Sequence, residues 1–91
     1  MNEYGLVVFR SRQAVLRFAD ALEKRGIHSE IVSAPHILAQ GCGLAAKLES
    51  RDLKPALQIY RGGSFMNLTG FYRVTEEQGH LHFQPILTQI R

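Results

Sequence analysis

Two rhythms of apolar and polar positions run along this chain. Tyr4–Phe9 is a short apolar run rich in β-formers, which predicts a buried central strand. Ser11 then predicts a helix start, because its hydroxyl can accept a bond from an unpaired backbone N–H. Val15, Phe18 and Leu22 recur at helical spacing with Ala14 and Ala21 beside them, a face suited to packing on a sheet. Lys24 and Arg25 suit the negative end of that helix, and Gly26 supplies a left-handed stop. Ile27–Val32 predicts a second strand, broken by Ser33-Ala34-Pro35 because proline has no N–H for a ladder. His36–Gly41 predicts a short connection, and Leu44–Leu48 a third strand. Asp52 is expected to cap a second helix with Pro55 in its first turn, where proline is tolerated. Leu53, Ala56, Leu57 and Tyr60 share one face of that helix, and Gly62-Gly63 ends it. Phe65–Val74 predicts a fourth strand with Gly70 as a bulge, and Glu76–Gly79 a turn. His80–Leu87 predicts a short edge strand, since Pro85 argues against a central place.

This order is βαββαβ with an added C-terminal strand. Its simplest closure is an antiparallel sheet with both helices on one face, a ferredoxin-like α+β sandwich. A small α/β sheet with another strand order is the alternative. The length, 91 residues, suits one domain spanning 1–91 and leaves little room for a second. No internal repeat, low-complexity segment or linker interrupts it.

Composition narrows the classes of function. Hydrophobic residues make up 45% and charged residues 21%, an ordinary globular balance rather than a disordered one. A domain this small has a modest core, so chemistry is expected on a loop or shallow cleft. Glu3 interrupts the start, and the apolar run Gly5–Phe9 is too short for a signal peptide or membrane span. A soluble cytoplasmic protein is therefore expected, with no membrane partner. The formal charge is +3, mild and scattered along the chain, so nucleic acid is not an expected partner. Tyr60, Phe71 and Tyr72, the aromatics a nucleic acid would stack on, are expected to pack in the core or across strands instead. The triplet Arg61-Gly62-Gly63 carries little weight as an RNA signal.

One cysteine, Cys42, cannot form an internal disulfide or a multi-cysteine zinc site. Gly41 and Gly43 bracket it, removing side-chain bulk from the sulfur's approach and permitting positive φ. Backbone N–H groups freed in such a loop could stabilise a thiolate, persulfide or selenide. An unperturbed thiol, with a pKa of about 8.5, is mostly protonated at neutral pH, so a working cysteine needs help. His36, six residues earlier, is a candidate base or cation for that purpose, with Lys47 and Arg51 as further electropositive neighbours. The opposing reading is a structural cysteine, since free cysteine often behaves as a small buried hydrophobe. Gly41 and Gly43 would then be turn residues alone. His80 and His82 share one strand face but lack a third ligand at recognisable spacing, and inward-facing Leu81 and Phe83 would explain the pattern. No metal or cofactor is expected, and no phosphate loop or nucleophile elbow is present.

The segment Pro35-x6-Cys42-Gly43-Leu44-Ala45 resembles the selenium/sulfur carrier-like family of small bacterial proteins. The resemblance also covers the opening strand Tyr4–Phe9, the helix ending at Gly26-Ile27, the second helix and the closing strand, about residues 4–74. Members often carry a serine-rich stretch before the cysteine. Here it is Leu38-Ala39-Gln40-Gly41, without hydroxyls to solvate a thiolate, and the segment 76–91 extends beyond the usual pattern. The resemblance implies that Cys42 accepts sulfur or selenium as a persulfide-type adduct, with Pro35, Gly41 and Gly43 shaping the loop. Its partners would be donor and acceptor proteins, so the chain itself would serve enzymes rather than be one. The alternative is a small regulatory or protein-interaction module, compatible with a homodimer, whose cysteine is structural or redox-sensing.

Overall fold

The computed structural model describes residues 2–38 and 43–88. Strand β1 (Asn2–Phe9) runs through the middle of a five-stranded sheet, and Leu6 to Phe9 are almost wholly shielded from solvent. Helix α1 (Arg12–Lys24) begins where the Ser11 hydroxyl accepts the Ala14 N–H at 3.0 Å, the expected cap. It ends in a Schellman motif, with the Ile27 and Gly26 N–H groups donating to the Leu22 and Glu23 carbonyls. That motif holds Ile27 in the core beside Leu22. Strand β2 therefore starts at Glu30 and ends at Ser33, three residues later than the expected Ile27.

β3 (Leu44–Glu49) leads through a 3-10 turn, Ser50–Asp52, into α2 (Leu53–Gly62). Asp52 does not cap α2 as expected. The turn already gives it a helical backbone, φ −90° and ψ −2°, and its side chain makes no capping bond. β4 (Leu68–Glu77) also begins later than expected, because Phe65 leaves the strand to pack beneath α1, its ring 5.1 Å from that of Phe18. Asn67, at a left-handed φ of 67°, turns the chain into β4, and its carbonyl accepts the Arg10 N–H at 2.7 Å. The bulge expected at Gly70 falls one residue earlier. Val8 faces Gly70 and Phe9 faces Leu68, leaving Thr69 as the extra residue. Gln78 and Gly79, both at positive φ, form the two-residue turn into β5 (His80–Thr88).

The sheet order is β2-β3-β1-β4-β5, with every neighbouring pair antiparallel. β5 lies at the edge, where Pro85 costs no central ladder bond. The molecule is thus α+β, with both helices contributing to one core on one face of the sheet. There Phe18 stands among Phe9, Tyr60, Phe65 and Phe71, with ring centroids 5.1–6.3 Å apart and mostly tilted or edge-on. The close approach of α2 depends on Gly5. A Cβ there would lie 2.6 Å from the Leu53 side chain, so only glycine leaves room for it.

Candidate functional site

Among the described residues no helix lies over the opposite sheet face, yet Leu6, Val8, Ala45, Tyr72 and Val74 are buried there. The cover comes partly from the β2–β3 connection, whose Ala34 and Leu38 pack on these residues. Its geometry follows from the chain. Ser33 pairs with Leu44, and one further bond, Ala34 N–H to the Gly43 carbonyl at 2.6 Å, ties the loop ends together. Gly43 has φ +71°, a left-handed conformation that favours glycine. The Leu38 N–H donates to the Pro35 carbonyl at 2.9 Å, closing a turn with His36 and Ile37 exposed at its tip.

Beside this loop lies a shallow depression of about 460 Å³. Tyr4, Leu6, Val32 and Lys47 line it from the sheet, Pro35 and His36 from the loop, and Leu81 from β5. The Lys47 ammonium sits 4.5 Å from the Tyr4 ring centroid, a cation–π contact. Burial, and secondarily the nearby Glu76 carboxylate, raise the Tyr4 hydroxyl above its usual pKa of 10.0. Burial raises Tyr72 in the same direction.

Of the expected site residues, Pro35, His36 and Gly43 come together in this one connection. Cys42 and Gly41 lie outside the described residues, and so does any contact between His36 and the sulfur. Lys47 shares the depression with His36. Arg51 does not; it pairs with Glu49 at 2.8 Å in a neighbouring hollow. Leu81 and Phe83 both lie on the loop-covered face, Phe83 half-buried there and Leu81 at the rim of the depression, 43% exposed. His80 and His82 are exposed, and among the described residues no three potential ligands stand close enough to hold a metal ion.

A family model described as "Putative Se/S carrier protein-like" matches residues 4–72. The chain belongs to this family. No curated protein and no solved structure gives a significant match. The region matched by the Se/S carrier-like family runs from β1 into β4 and contains the whole β2–β3 connection. β5 falls outside it, although Leu81 of β5 closes one side of the depression. Tyr4 and Leu81 were not singled out as site residues in the sequence. The nearest signal was Tyr4, Leu6 and Val8 alternating on one face of a strand whose other face was apolar as well. Among the described residues no helix is long and apolar enough to cross a membrane.

Proposed function

We propose that this protein is a sulfur or selenium carrier in which Cys42 is the acceptor. The observation that carries this reading is the family match over residues 4–72, a span that includes Cys42 and Gly43. The Cys42 thiolate attacks the terminal sulfur of a donor persulfide. A new S–S bond forms at Cys42, the donor's own S–S bond breaks, and the donor leaves as a thiolate. The transferred sulfur keeps its oxidation state, so no further oxidant is needed. An acceptor nucleophile then attacks the same terminal sulfur and Cys42 leaves as the thiolate. The selenium case follows the same balance with a terminal selenium.

Several features of the chain support this chemistry. The Ala34–Gly43 bond anchors the loop at the residue after Cys42, and Gly43 adopts the left-handed backbone its lack of a side chain allows. His36, exposed in the same loop, is the group we assign to tuning the thiol. The strand order β2-β3-β1-β4 with both helices on one face supports a ferredoxin-like unit extended by β5. A free acceptor thiol requires a reducing compartment, which is our ground for assigning the cytoplasm. Bond-making is shared with donor and acceptor proteins, so we class the chain as a carrier rather than an enzyme.

The test is the intact mass of the native protein after incubation with a cysteine desulfurase and cysteine, beside Cys42→Ala. Selenocysteine serves as the second donor. The expected result is a reducible gain of about one sulfur or selenium, absent from the variant. No gain, with Cys42 also unreactive toward an alkylating agent, overturns the carrier reading in favour of a module with a structural cysteine.

A further inference from the structure

We propose that the depression beside the Ala34–Leu38 loop docks the enzyme that loads Cys42, taking an apolar, carboxylate-bearing segment of that enzyme; this rests on the carrier reading above. The site is open and shallow, about 460 Å³, so a small molecule lying in it would stay largely wet. A protruding segment of another protein would bury both itself and the floor formed by Tyr4, Leu6 and Val32. Two large apolar side chains stand out on this side of the molecule. Leu81, on the rim, is 43% exposed, and Ile37, at the loop tip, is 78% exposed. Leu81 extends the apolar floor of Tyr4, Leu6 and Val32 outward, the kind of contiguous apolar surface that marks partner contacts.

The charge pattern selects the partner. Among the described residues Lys47 lines the depression and no carboxylate does, the nearest acidic group being Glu76, which stands near the Tyr4 hydroxyl and opposite Leu81 in register. Among the described residues Lys47 forms no ion pair; the three pairs found there involve Lys24, Arg51 and Arg73. Lys47 and Tyr4 also border the neighbouring hollow, and Glu30, opposite Lys47 in register, lines that hollow and not the depression. A carboxylate entering over Tyr4 would meet the ammonium already held at 4.5 Å from that ring. The net charge of +3 steers an acidic partner toward the molecule at long range. Pro35 and His36, which wall the depression, belong to the connection that continues to Cys42, so a partner seated here is held beside the acceptor loop.

The experiment compares two donors by following the mass gain at Cys42 with time. One is a cysteine desulfurase carrying its active-site persulfide; the other is cysteine persulfide, which needs no docking surface. Lys47→Glu and Leu81→Glu put negative charge in the depression, and Arg12→Glu makes the same charge reversal on exposed α1 as a control. Leu81→Ser and Lys47→Gln replace the reversals if thermal melting shows that either fails to fold. The enzyme is expected to load the wild type faster than the small persulfide does. Both depression variants should slow enzyme loading roughly tenfold or more while changing loading by cysteine persulfide less than about twofold, and Arg12→Glu should change neither. Unchanged enzyme rates in the depression variants overturn the proposal, as does an equal fall in both rates. So does a wild type that the enzyme loads no faster than the small persulfide. A wild-type dimer that the two substitutions dissociate, with enzyme loading unchanged, assigns the depression to a second copy instead. Failure of both donors to load the wild type overturns the carrier reading itself, and this occupant with it.

Discussion

The two faces of the sheet are covered in different ways. On one, α1 and α2 lay down a continuous core centred on Phe18 and its four aromatic neighbours. On the other, a smaller cluster of Leu6, Val8, Ala45, Tyr72 and Val74 lies under a loop, with Phe83 of the edge strand packed against it. A helix buries an apolar stripe while satisfying its own backbone, so the first face is closed and stable. A loop covers less and leaves a depression at its side. The face least suited to stability is thus the one with a surface that a partner can enter.

If stability resides mainly on the helical face, Phe18→Ala should be among the most damaging single truncations. We expect a loss of about 3–5 kcal/mol in urea unfolding, from a lost ring and the cavity left behind. A loss under about 1 kcal/mol would break the comparison. Gly5→Ala tests the same face from the sheet side, since the new methyl meets Leu53. It should cost about 1–3 kcal/mol, and adding Leu53→Ala should return part of that loss in a double-mutant cycle. On the loop-covered face, Leu38→Ala should cost less, about 1–2 kcal/mol, because Leu38 is only half-buried in the smaller cluster. A cost equal to that of Phe18→Ala would make the two faces energetically alike.

The smallest effect expected is a pH dependence confined to the loop-covered face. Tyr4 and Tyr72 both hold their protons more tightly than the usual pKa of 10.0, chiefly through burial. The folded state therefore binds these protons better than the unfolded chain does. Their contribution is complete below pH 10.0 and is lost as pH rises from there through the higher folded values. Unfolding by urea, followed at neutral and strongly alkaline pH, should show this fall, and Tyr4→Phe should make it shallower. An unchanged slope in Tyr4→Phe would mean that Tyr4 ionises equally in both states.

Much of this was legible in the chain. The Ser11 cap, the Val15-Phe18-Leu22 stripe, the second helix around Ala56 and the edge position forced by Pro85 are local facts, each readable within a few residues. The misplacements share a cause. Ile27 and Phe65 are apolar residues beside a strand, and their local pattern does not tell a strand residue from one that turns into the helical core. Asp52 was expected to be a cap because its residue type favours one, but the preceding 3-10 turn had already set its backbone. At the site, proline and glycine punctuation drew attention to the right connection. The residues that share its depression come from four separate strands, which no spacing in the sequence connects.

The sequence by itself determined the order of the elements, the Ser11 cap of the first helix and the single cysteine between two glycines, because these depend on neighbours along the chain. Only the tertiary structure decided which segment covers the second sheet face and which side chains meet there. Strand register brings Tyr4, Lys47 and Leu81 together beside a loop that begins at Ala34, and register is set by pairing across the whole sheet.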